Sequence, residues 1–180
     1  MADIQEVETI MENINWLKKQ MPVAISNWQG GKPNCSIGYP GVLGEVCQNP
    51  NIIYTKIFDP LIKWLADYIL KREGRIAFPG PGGLDFFLKQ GLRYISNFVI
   101  IADFFSRNPY YFVPFESSTI EGKKAASDKQ KQYQEFIDTL SSKLIGCNEQ
   151  LAFIFLKLSK TVKSLPEDLR KMQSLSLIHI

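Results

Sequence analysis

The residues best placed to do chemistry lie in one stretch, FFLKQGLRYISNF, at 86–98. Asp85, Lys89, Arg93 and Asn97 recur at every fourth position, a spacing that lines side chains along one face of a helix. The positions between them are mostly aromatic or aliphatic, so two cations stand on a rigid rod beside rings. Such an arrangement can grip a polar headgroup while neighbouring helices enclose its hydrocarbon. It is equally the pattern of a solvated seam on a central helix. Asp85 and Lys89 stand in the favourable i,i+4 order, worth about 0.2–0.5 kcal/mol. Burial of each large apolar residue around them contributes about 1.5–3 kcal/mol. The apolar face therefore decides where this helix sits, and the polar line follows.

The elements that must position this line read as helices. Ile4, Val7, Ile10, Met11, Ile14 and Leu17 recur at steps of three and four, which predicts a helix over 3–20 ended by Pro22. A glycine- and proline-rich stretch predicts a long irregular connection over 22–51. Apolar periodicity predicts a second helix over 52–70, with Pro60 kinking it or starting its main segment after Asp59. REGRIAFPGPGG breaks the chain, the central apolar helix occupies 84–106, and a second loop covers 107–126, aromatic at first and polar later. Helices over 127–145 and 148–163, broken at Gly146, complete the set. The fold class is all-α: one domain over 1–174, about five helices in a two-layer bundle around the central one. The last six residues, LSLIHI at 175–180, follow a polar segment abruptly and back-translate to the end of a transposase-type sequencing adaptor. They read as an assembly artefact and are set aside.

Composition narrows the function classes. With 45% hydrophobic and 22% charged residues in 180, the chain can bury a continuous core without metal or disulfide help. A net charge of +3 with dispersed lysines lacks the footprint of a nucleic-acid binder. No apolar run is long enough for a transmembrane span, and the acidic amphipathic N-terminus has neither a secretory nor a transit signal. The expected setting is the cytoplasm, or an organelle stroma if the precursor is longer. Three cysteines cannot all pair within one molecule, and a Cys35–Cys47 bridge requires an oxidising compartment. The lone histidine, His179, lies in the tail, so no histidine-based triad or metal site is expected, and neither is a cofactor. Paired carboxylates such as Glu167 with Asp168 read as a solvated face, and PGPGG at 79–83 as a turn rather than a phosphate loop.

FFLKQGLRYISNF resembles the central-helix motif of the glycolipid transfer protein family, in which tryptophan, leucine, lysine, arginine, glycine or alanine, and leucine precede an aromatic. Aligned on that motif, Phe87 stands at the family's sugar-stacking tryptophan, and Leu88, Lys89, Gly91, Leu92 and Arg93 match. LIKWLADYIL before it and KQYQEFIDTL after it fall in the family's order, so the resemblance spans residues 50–145. It implies a headgroup held by Lys89 and Arg93, Phe87 stacking on it, and Phe98 lining a tunnel for the hydrocarbon. Lys56 stands nearest the family's headgroup lysine, and Gln134 at its histidine. The chain departs from the pattern where Phe87 keeps a ring face but no indole donor, and where the family's aspartate and asparagine find no clear counterpart.

Two non-enzymatic functions fit these residues. One is a lipid-binding or lipid-transfer-like protein, able to make peripheral membrane contact. The other is an accessory or adaptor subunit of a larger assembly. Loop aromatics, namely Trp28 together with Tyr110, Tyr111 and Phe112, would make the contact with a membrane surface or with a partner protein.

Overall fold

The computed structural model describes residues 2–30, 39–78, 82–107 and 120–159. Among them every regular element is helical: α1 (Ala2–Gly30), α2 (Gly41–Gln48), a π-helical stretch (Ile53–Phe58) leading into α3 (Asp59–Arg72), α4 (Gly83–Arg107) and α5 (Ile120–Ser159). The fold is an all-α bundle with one continuous core.

α1, α3, α4 and α5 close into a ring in chain order, α1 on α3, α3 on α4, α4 on α5 and α5 on α1. Each runs antiparallel to the next. Lys18 pairs with Asp59 while Glu8 shares a cleft with Leu70, which opposes α1 to α3. Phe58 meets Phe98 and Trp64 meets Phe87, which opposes α3 to α4. Lys143 donates to Asn13 and Gln150 lies beside Gln5, which opposes α5 to α1. This is the up-down-up-down arrangement that short connections between neighbours favour. α4 also carries α2, whose Tyr39 approach places that ring edge-on to Phe104 at 5.4 Å.

Five expectations are corrected, one of them at the second loop: α5 already begins at Ile120, inside the stretch predicted as loop over 107–126. α1 does not end at Pro22 but continues to Gly30, with Pro22 inside it. Proline there removes a backbone donor and costs about 3 kcal/mol or more. Ile25 extends the buried stripe past it, and burial of such a side chain, worth about 1.5–3 kcal/mol, offsets much of that cost. The irregular connection predicted over 22–51 is accordingly taken up by the end of α1 and by α2, while residues 31–38 fall outside the described residues. Trp28, expected on a loop, stands on α1; its side chain is outside the described residues. Lastly, Gly146 does not break α5, because Leu144, Cys147 and Leu151 carry the apolar stripe straight through it. A mid-helix glycine costs about 1 kcal/mol, too little to interrupt a packed face.

Pro60 is the second residue of α3, and the π-helical stretch runs straight into it through helical backbone at Phe58 and Asp59. The wider π turn before it eases the clash between the proline ring and the preceding carbonyls. α3 ends in a Schellman cap: Arg75 N–H donates to the Leu70 carbonyl at 2.9 Å and Gly74 N–H to that of Lys71 at 3.1 Å, with Gly74 at φ +75°. That cap turns the chain towards α4.

Candidate functional site

A cleft of about 420 Å³ lies between α3 and α4. Its floor is aromatic. Trp64 stacks on Phe87 with centroids 5.0 Å apart and 20° between planes, and Tyr94 closes the α4 side. Its rim is polar, with Thr55, Asp59, Lys63 and Asp67 from the α3 side and Gln90 from α4.

The local sequence explains this packing. Trp64, Tyr68 and Lys71 fall at i, i+4 and i+7 on α3, and Phe87, Gly91 and Tyr94 at the same steps on α4. Trp64 fits because position 91 is a glycine: a Cβ there would overlap the indole ring. The indole Nε1–H then donates to the Phe87 carbonyl at 2.9 Å, fixing the ring against α4. Tyr68 stacks on the other neighbour of this series, 5.5 Å from Trp64, and Phe78 meets Phe87 edge-on at 5.6 Å. Two cations cap the row. Lys71 Nζ lies 4.6 Å from the Phe87 centroid and the Arg72 guanidinium 5.8 Å from that of Tyr68.

Of the residues singled out from sequence, Phe87 belongs to this site. Its ring is 8% exposed, because Trp64, Phe78 and Lys71 occupy its surroundings. Lys89 and Arg93 project from the exposed side of α4 and do not line the cleft; Lys89 pairs with Asp85 at 3.0 Å. Phe98 is packed in the core on Phe58, 6.1 Å between centroids. Lys56 is exposed and bonds Glu45 of α2 at 3.1 Å, beside but not within the cleft wall. Gln134 stands on α5 with its side chain outside the described residues, and Tyr110, Tyr111 and Phe112 lie outside them altogether. Sequence reasoning passed over Trp64, Tyr68, Lys71, Gln90 and Tyr94 as site residues. The shared i, i+4, i+7 spacing on consecutive helices was the available signal.

A second cleft, about 430 Å³, separates α1 from α3 and is lined by Glu8, Met11, Glu12 and Asn15 against Ala66, Ile69, Leu70 and Arg75. It lacks an aromatic floor and is the more open of the two. No helix among the described residues is long and apolar enough to cross a membrane. The chain matches no family model, and neither a curated protein nor a solved structure matches it.

Proposed function

We propose that the protein is a non-enzymatic lipid-binding module of the lipid-transfer-like kind, with the α3–α4 cleft as its headgroup site. The observation that carries this reading is the junction at Phe87. On one side its ring forms the cleft floor with Trp64; on the other it touches Phe78, which begins a run of solvent-exposed apolar side chains. A polar headgroup on the rim would thus lie beside an apolar surface fit for hydrocarbon. Lys63, Asp67 and Gln90 offer the donors and acceptors, and Arg93 stands one helical step outside the rim. Peripheral membrane contact belongs to the same reading.

Mass spectrometry of an organic extract of the purified protein tests it. The expected result is a co-purifying polar lipid, depleted by Lys63→Ala with Gln90→Leu and more weakly by Arg93→Ala. Lipid-free protein after extraction from several hosts would sink the reading.

The exposed Phe153 on α5 favours a second reading, an accessory subunit that covers this ring with a partner protein. Elution of the native protein in a large complex, without lipid, would support it.

A further inference from the structure

The large apolar side chains that stand in solvent among the described residues are Ile76, Phe78, Leu84, Phe86, Phe153 and Leu156. The antiparallel ring places all of them together. α3 ends, α4 begins and α5 ends at the same pole of the bundle, and these six flank those termini. Phe86 is the most prominent at 66% exposed. A single exposed ring needs no explanation, but six gathered at one pole do.

Charge follows the same geography. Residues 71–89, from the last turn of α3 to the second turn of α4, hold four basic and two acidic side chains, a surplus of two. The whole chain has 21 basic and 18 acidic residues, a net charge of +3. Two of those three net charges therefore sit in the segment that contains four of the six exposed apolar residues. At the same pole the first turns of α1 carry Glu6 and Glu8, so the positive flank is that of the α3–α4 corner.

We infer that this corner is a docking face for an anionic lipid bilayer. Phe86, Leu84 and Phe78 would enter the interfacial region while Lys71, Arg72 and Lys89 meet anionic headgroups. The acidic start of α1 would be held away from the surface, which fixes the tilt of the bundle. The inference rests on the lipid-binding reading for the nature of its target, and it puts the mouth of the α3–α4 cleft beside the bilayer, since Phe78 touches Phe87. A neutral protein partner would leave the concentration of charge unexplained.

Co-sedimentation with vesicles tests it, comparing phosphatidylcholine alone with vesicles in which about a third of the lipid is phosphatidylserine. Each basic side chain near such a surface adds roughly five-fold to partitioning. The full chain should bind the anionic vesicles at least tenfold more strongly, and salt should weaken that binding. Arg72→Glu with Lys89→Glu should abolish the preference, and Phe86→Ser should weaken binding several-fold with an unchanged circular dichroism spectrum. Equal binding to both vesicles, binding to neither, or wild-type behaviour of both variants overturns the inference. So does a concentration-dependent dimer that Phe86→Ser dissolves, because a second copy would then cover the pole. Extractable lipid in a protein that ignores vesicles refutes the docking face alone; vesicle binding by a lipid-free protein refutes the internal site alone.

Discussion

Two glycines, each in the middle of a long helix, separate the chemistry of the α3–α4 corner from that of the α1–α5 seam. Gly91 on α4 is pressed against the Trp64 indole, and its missing side chain is what admits the ring. Gly146 on α5 has nothing within 4 Å of where a Cβ would stand. The corner is built of flat rings stacked at fixed distances, with an indole hydrogen bond holding the stack. The seam is built of aliphatic side chains, Ile10, Ile14 and Leu17 of α1 with Leu140, Leu144 and Leu151 of α5, joined by the bond from Lys143 to Asn13. A methyl added at Gly91 meets a ring locked against the backbone, whereas one added at Gly146 meets nothing within 4 Å. The difference indicates where the molecule has been specified for shape and where merely for burial.

The sharpest way to break this contrast is Gly91→Ala. The new methyl overlaps an indole that cannot retreat without losing its bond to the Phe87 carbonyl. Overpacking of this sort costs about 1–3 kcal/mol, occasionally more, and the better helix propensity of alanine returns about 1 kcal/mol. A net loss of up to about 2 kcal/mol should appear as a lower urea midpoint at unchanged slope. In a Trp64→Leu background the same Gly91→Ala change should cost less than in the wild type, since the smaller side chain vacates the space. Unchanged stability in Gly91→Ala alone would mean that the corner is as compliant as the seam.

The seam has its own marker in Cys147, which is fully buried. Burial pushes its thiol up from 9.0 to about 12, and the nearby Lys143 offsets only part of the shift. The folded thiol therefore keeps its proton over a range in which the unfolded one loses it. Above pH 9 the unfolded state binds fewer protons, so stability falls as pH rises towards about 12, with a slope of at most ~1.4 kcal/mol per pH unit. Below pH 9 this group contributes no slope. Urea unfolding of the wild type and of Cys147→Ala at a series of alkaline pH values should show the extra slope in the wild type only. Parallel curves would place the thiol in contact with water.

How much of this could be read from the sequence differs between the same two regions. The rod at 84–106 was legible to within a residue of Gly83–Arg107, because a long apolar period bounded by breakers has few alternatives. The exposed line of Asp85, Lys89 and Arg93 was legible for the same reason. The run of α1 through Pro22 and of α5 through Gly146 was not. Local propensity argues for a break at each, and only the tertiary partners of Met21, Ile25, Cys147 and Leu151 reverse the balance. The cleft was half legible. Phe87 drew notice through a motif, but its partner Trp64 lies 23 residues earlier, and no local pattern reveals that Gly91 is the socket for that ring.

Gly146→Ala sharpens the comparison from the other side. With open space around the new methyl and a helical backbone, the substitution should stabilise the protein by about 1 kcal/mol through helix propensity alone. The readout is a rise in the urea midpoint, opposite in sign to that of Gly91→Ala. A loss instead would show that the helix needs the glycine for a contact or a bend at that point.

The smallest effect belongs to the polar line of α4, where burial is least. Asp85 and Lys89 are both about half exposed, 50% and 46%, and lie 3.0 Å apart. A pair of this kind contributes about 0.2–0.5 kcal/mol, and salt screens it. Lys89→Ala should therefore shift the urea midpoint barely beyond error at low salt and not at all at high salt, where the same change at a corner residue such as Lys71 would still lose the ring contacts with Phe87 and Phe78. Comparing Lys89→Ala with Lys71→Ala at two ionic strengths thus distinguishes a solvated ribbon from a cation packed into the aromatic corner. A salt-insensitive loss at Lys89 larger than that at Lys71 would reverse the assignment and move the charged anchor of the molecule onto the outer face of α4.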